Sequence, residues 1–136
     1  MSHFTKVETK IKNVNRLVLV LEELGFNFTR AEAHQKVHVK GYLGETMEAD
    51  ICIHASKKYE IGINIDAETG VASFTADDEF LEMNAGYSLG EFKRKVVQRY
   101  AYHTVKDEVQ KRGYTLEEET VDEQQHIHVT VSSWGD

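Results

Sequence analysis

The sequence predicts an α+β domain in which two helices lie on one face of an antiparallel sheet, giving a two-layer sandwich. Three observations point there. Short runs with period-two or β-branched character follow one another through the middle of the chain, at 37–39, 49–54 and 59–65. Two longer segments carry helix start and stop signals of their own. Finally, residues 24–40 and 112–130 read alike, each running helix end, glycine, aromatic, hairpin and then a strand with alternating histidine. If that likeness is an internal duplication, the plan is pseudo-twofold.

Taken in order, F-T-K-V-E-T-K-I at 4–11 alternates imperfectly and reads as the first strand. Asn13 or Asn15 can cap a helix that runs to Leu24 and stops at Gly25. The L-V-L-V-L run at 17–21 fits a buried strand as well, but the E-E-L-G ending favours the helix. The strands V-H-V, A-D-I-C-I-H and Y-E-I-G-I-N-I follow. D-A-E-T-G at 66–70 is a turn with Gly70 free to take positive φ, and it leads into V-A-S-F-T-A. Asp77, Asp78 and Glu79 read as a solvated acidic loop, because they lack the alternating acids of a calcium loop. Ser88 and Glu91 form an S-x-x-E capping box that opens a long helix ending near Gly113. A hairpin around 122–125 closes the chain, which is read as one domain over 1–136 because it has no proline and no linker-like stretch.

Composition narrows the function. The chain is 40% hydrophobic and 29% charged, a balance that places it among globular rather than disordered proteins. No apolar run approaches the ~20 residues that span a bilayer, so no membrane role is expected. A single cysteine, Cys52, excludes an intrachain disulfide framework and points to a reducing cytoplasm or its organelle equivalent. The net charge of −7 argues against nucleic acid as a partner. Charge is nevertheless uneven: residues 93–112 hold Lys93, Arg94, Lys95, Arg99, Lys106, Lys111 and Arg112 against Asp107 and Glu108.

On a helical wheel Leu89, Phe92, Val96, Tyr100 and His103 fall within about 80° of one another, which makes them the face laid on the sheet. Val97, Ala101, Val105 and Val109 recur at i+4 as a second apolar strip, with Lys95, Arg99 and Lys106 beside it and Tyr102 at its edge. One apolar face suffices to seat a helix on a sheet. The second strip either packs on the first helix or serves as a homodimer or protein-partner surface. Lys95, Arg99, Tyr102 and His103 with Val97, Ala101, Val105 and Val109 are therefore the candidate partner-binding residues. In Q-R-Y-A-Y-H-T-V, residues 98–105, tyrosine and histidine join a large apolar body to a polar tip and suit a half-wet boundary.

No catalytic residue is assigned. A histidine base needs a nucleophile and an orienting carboxylate, and neither has a sequence signature here. Walker, G-x-G-x-x-G, nucleophile-elbow and H-E-x-x-H patterns are all missing from the sequence. Cys52 with His54, and His126 with His128, are same-face strand pairs and hence weak metal-ligand candidates. Strand histidines without a metal are the default, so neither metal nor cofactor is expected. The balance favours a non-enzymatic binding or accessory module working through the long helix. The alternative is a small-molecule or metal-binding domain that uses the sheet histidines or a sheet–helix cleft.

M-S-H-F-T-K-V-E-T-K-I-K-N at the start, L-E-E-L-G-F, Y-E-I-G-I, and Q-R-Y-A-Y-H-T-V followed by G-Y-T-L-E-E-E together carry a likeness over nearly the whole chain. The sequence resembles the family known as the conserved hypothetical chloroplast reading frame thirty-five, a domain of unknown function. That resemblance implies a small single-domain soluble protein and no particular reaction. Phe74 and Phe80 stand where plastid members usually have tryptophan, Trp134 lies in a different ending, and H-I-H at 126–128 is foreign to the pattern.

Overall fold

The computed structural model describes residues 4–121 and 127–133, with side chains through residue 114. It has the α+β architecture expected: an antiparallel sheet with helices. Its contacts divide the chain into two compact units, residues 1–96 and 97–136.

In the first unit β1 (Thr5–Glu8) leads to α1 (Val14–Glu23). Asn13 caps α1, its side-chain oxygen accepting from the Arg16 amide at 3.0 Å, and Gly25 takes φ +80° just past the end. Both signals lie where the sequence puts them. β2 (Phe28–Arg30), β3 (Val37–Lys40), β4 (Thr46–Ala49), β5 (Ile51–Ile53), β6 (Ile61–Ile65) and β7 (Ala72–Ala76) follow. Five of these strands form one wholly antiparallel sheet in the order β1-β7-β6-β5-β2.

Register sorts the side chains. Ile53, Ile61 and Ala76 stand across from one another, as do Ile51, Ile63 and Phe74, and none of the six is more than 1% exposed. This is the buried apolar face of the sheet. Phe92, at the start of the last helix, meets Phe74 edge-on at 5.2 Å and Phe26 at 5.1 Å. Fully burying such aliphatic and aromatic groups contributes about 1.5–3 kcal/mol each, and they are the main source of stability here.

The opposite face carries Thr29, Cys52, Gly62 and Thr75. Against it lies a two-stranded ribbon of β3 and β4, an element the sequence did not announce as a separate layer. Val39, Ala49 and Cys52 form its buried cluster. A Cβ on Gly62 would stand 3.0 Å from Val39 Cγ2 and 3.2 Å from Ala49 Cβ. Glycine at 62 is what lets the ribbon come so close.

A-D-I-C-I-H is thus not one straight strand. Asp50 interrupts it, and the chain passes from ribbon to sheet there. Ala49 joins the Cys52 face although the two lie three positions apart, an odd offset that an inserted residue permits. Asp50 fixes the corner with its carboxylate, accepting from the Ile65 amide at 2.7 Å and from Lys36 Nζ at 2.6 Å.

The acidic stretch after β7 is a correction to the solvated-loop expectation. Asp78 begins a helix, α2 (Asp78–Ala85), and Asp77 is only 2% exposed. Asp77 accepts from the Tyr42 amide at 3.1 Å, and Asp78 accepts from the Leu89 amide at 2.7 Å. Carboxylates before and within a first helical turn satisfy orphan amides and suit the positive end of the helix dipole, so these acids are structural.

Then α3 (Leu89–Lys111) begins with the expected capping box: the Glu91 amide donates to Ser88 Oγ at 3.1 Å, and the Ser88 amide to Glu91 Oε1 at 3.3 Å. Gly113 ends it with φ +82°. In the second unit β8 (Tyr114–Val121) pairs antiparallel with β9 (Ile127–Ser133), as expected for the terminal hairpin. Its connection at 122–126 lies outside the described residues. The two similar stretches differ in how they pair: β8 and β9 pair with each other, whereas β2 pairs with β5 and β3 with β4.

Candidate functional site

Among the described residues, two places gather chemistry-bearing groups. The first grows from strand register. Ile53 pairs with Ile61 and Cys52 with Gly62, so the next step along this hairpin sets His54 across from Glu60. The intervening loop is held by Ser56, whose hydroxyl donates to the Tyr59 carbonyl at 2.9 Å and accepts the Tyr59 amide at 3.0 Å. Because alternate residues share a face, Cys52, His54, Glu60 and Gly62 all belong to the ribbon side of the sheet.

There His54 Nδ1 lies 2.6 Å from Glu60 Oε2 and 3.9 Å from Cys52 Sγ. His54 Nε2 meets Thr29 Oγ1 at 2.7 Å, on the neighbouring strand β2. Glu60 is tied down further: its Oε1 accepts the Lys40 amide at 3.1 Å, and its own amide donates to the Lys40 carbonyl at 3.0 Å. The ligand-type atoms of Cys52, His54 and Glu60 all fall within 4.8 Å of one another. Cys52 is 1% exposed and the Glu60 side chain 6%, whereas that of His54 is 42% exposed. Burial, reinforced by the negative charge of Glu60 and a hydrogen bond to it, pushes the Cys52 thiol up to about 12 against a smaller opposing pull from Lys40. As it stands the thiol is protonated and unreactive at neutral pH.

Of the weak metal candidates, the structure therefore brings Cys52 and His54 together and adds Glu60, which the sequence reading did not single out. His126 lies outside the described residues. His128 occupies a β9 position opposite Thr120.

The second place is α3. Leu89, Phe92 and Val96 are fully buried, His103 is 9% exposed and Tyr100 is half-buried. On the other strip Val105 is 44% exposed and Ala101 exposed, with Val97 and Val109 half-buried. Arg99 stacks its guanidinium 4.2 Å over the Tyr102 ring, which meets the His103 ring edge-on at 5.1 Å. Arg99, Tyr102 and His103 thus form one array, with Lys95 exposed and Lys106 half-buried on the same helix. An arginine over an aromatic face is attracted by the ring quadrupole. Among the described residues no helix is long and apolar enough to cross a membrane.

No solved structure matches the chain. Proteins named "Uncharacterized protein ycf35" are similar over almost their whole length: that of Guillardia theta is 30% identical over 135 residues, covering 98% of each chain. Those of Pyropia yezoensis and Cyanophora paradoxa are 29% and 28% identical, covering 99% and 98% of each chain. The resemblance read from the sequence is borne out. Residues 20–130, which hold β2 to β7, the Cys52–His54–Glu60 corner and α3, match the family described as protein of unknown function (DUF1257), and the chain belongs to that family.

Proposed function

We propose that this chain is a non-enzymatic binding module that docks an acidic, amphipathic protein segment along the outer strip of α3. The observation that carries the reading is the exposure of Val105 and Ala101 on a helix whose buried residues are Leu89, Phe92, Val96 and His103. Small and β-branched residues at i+4 spacing allow close approach of another helix. The partner's acidity follows from charge: seven lysines and arginines within 93–112 outnumber two acids on a chain of net charge −7. Arg99 on Tyr102, with Lys95 and Lys106, supplies the cationic rim. A basic helix also disfavours its own twofold pairing, so a second copy is the weaker occupant. The reading takes 1–136 as one domain, since α3 is continuous from residue 89 to 111, and takes a reducing cytoplasm or organelle as its compartment, on the single cysteine.

The test compares tagged wild type with Val105→Glu and with Arg99→Ala as baits in extracts of the native host. A protein held by wild type, lost from Val105→Glu and weakened by added salt supports the reading, provided circular dichroism finds both variants folded. Identical recoveries from all three baits overturn it. Sedimentation of wild type alone decides the second copy: a chain monomeric at high concentration removes homodimerisation. The alternative, a metal- or small-molecule-binding domain, draws its support from the Cys52–His54–Glu60 corner.

A further inference from the structure

We propose that Cys52 Sγ, His54 Nδ1 and the Glu60 carboxylate form a binding site for a borderline transition-metal ion of the zinc type, with one coordination position left open toward solvent. This develops the alternative reading, and its outcome is independent of the docking role of α3.

The donor set is the first argument. One thiolate, one imidazole and one carboxylate suit zinc and its first-row neighbours, and a buried sulfur disfavours magnesium or calcium. Geometry is the second. Bonds of about 2.3 Å to sulfur and 2.0–2.1 Å to nitrogen at a tetrahedral angle put sulfur and nitrogen roughly 3.6 Å apart. Cys52 Sγ and His54 Nδ1 are 3.9 Å apart. Both groups already converge on the same ring nitrogen, which in a hydrolase relay would instead separate nucleophile from carboxylate. The His54–Glu60 distance of 2.6 Å is that of a short hydrogen bond. An ion in its place opens the pair by under about 1 Å, within reach of a side-chain rotation.

Support around the ligands is the third argument. Metal-bound histidines orient their free nitrogen through a hydrogen bond, and Thr29 Oγ1 stands 2.7 Å from His54 Nε2 to do so. A hydroxyl both donates and accepts, so Thr29 serves whichever tautomer His54 adopts. The Lys40 amide on Glu60 Oε1 leaves Oε2 as the coordinating oxygen. The Cys52 thiol gives up its proton to solvent as the metal–sulfur bond forms, and the resulting thiolate and the Glu60 carboxylate neutralise a divalent charge at a buried position, where that charge would otherwise be expensive. Cys52 and Glu60 form the closed floor, and the partly exposed His54 marks the entrance and the open position.

Cobalt(II) titration of the untagged full chain, prepared free of chelator, tests this directly. The expected result is one cobalt per chain, with the visible bands of a tetrahedral ion and a near-ultraviolet thiolate-to-metal band, both erased by added zinc. Cys52→Ser removes the thiolate band, and His54→Ala or Glu60→Gln weakens binding by at least about 10-fold. Thr29→Val leaves all three ligands in place and is expected to retain the thiolate band while weakening binding about 10-fold, which keeps the test valid should Cys52→Ser misfold. No stoichiometric cobalt binding, or binding that survives His54→Ala and is instead lost with His128→Ala, overturns the proposal.

Discussion

Substituting alanine at Gly62 tests how closely ribbon and sheet are packed. The added Cβ would meet Val39 Cγ2 at 3.0 Å and Ala49 Cβ at 3.2 Å, so both neighbours must retreat by a few tenths of an ångström. Val39 and Ala49 are fully buried, and Asp50, next to Ala49, is anchored by its bonds to Ile65 and Lys36. Neither has free room. Alanine in a strand gains about 0.5–1 kcal/mol over glycine by lowering the entropy of the unfolded chain. Overpacking a tight interior costs about 1–3 kcal/mol, so the net expectation is a loss of about 1–2 kcal/mol. In a chain of this size that lowers Tm by roughly 3–8 °C. The same comparison in urea, extended to Val39→Ala and the double variant, measures the contact itself. Removing Cγ2 gives the new methyl somewhere to go, so the double variant should be more stable than the sum of the singles by at least about 1 kcal/mol. Gly62→Ala as stable as wild type, with strictly additive singles, would show that the ribbon does not rest on Gly62 as described.

Three further outcomes are expected. Asp50→Ala should destabilise by about 1–3 kcal/mol in urea unfolding, because it strips the Ile65 amide of its 2.7 Å acceptor, whereas Lys36→Ala at the surface end should cost under about 1 kcal/mol; equal effects would refute the corner role. Cys52, with its thiol pushed up to about 12, should resist iodoacetamide at pH 8 in the folded protein and react on unfolding, and Glu60→Gln should speed the native reaction because removing a negative neighbour lowers the thiol pKa; native alkylation as fast as denatured would contradict this. Asp66 is held below the usual carboxylate range by the Thr69 and Glu68 amides, with hydrogen bonds of 2.9 and 2.8 Å. Its folded pKa is depressed, so its stabilisation is present above the unfolded value and fades as pH falls through the folded one. The Tm gap between wild type and Asp66→Ala should accordingly narrow on acidification, and a gap that widens would reverse the assignment.

Much of this molecule is written locally. The Asn13 cap, the Gly25 and Gly113 stops, the Ser88–Glu91 box and the wheel face of Leu89, Phe92 and Val96 depend on neighbours within one or two helical turns, so residue order alone determines them. The isoleucine alternation of β5 and β6 likewise announced a sheet with one greasy face. Tertiary structure decided what depends on pairing between distant segments. Asp77 and Asp78 are acidic in sequence but become structural acceptors because Tyr42 and Leu89 bring amides to them. Glu60 drew no notice by composition, and it matters because antiparallel register sets it across from His54 while β3 delivers the Lys40 amide to its other oxygen. A strand's period says which face a residue takes, but only its partner's register says which residue it meets there. Local signals therefore determined α1, α3 and the central sheet strands, and the folded chain decided the break at Asp50, the α2 helix and which thiol, imidazole and carboxylate share a corner.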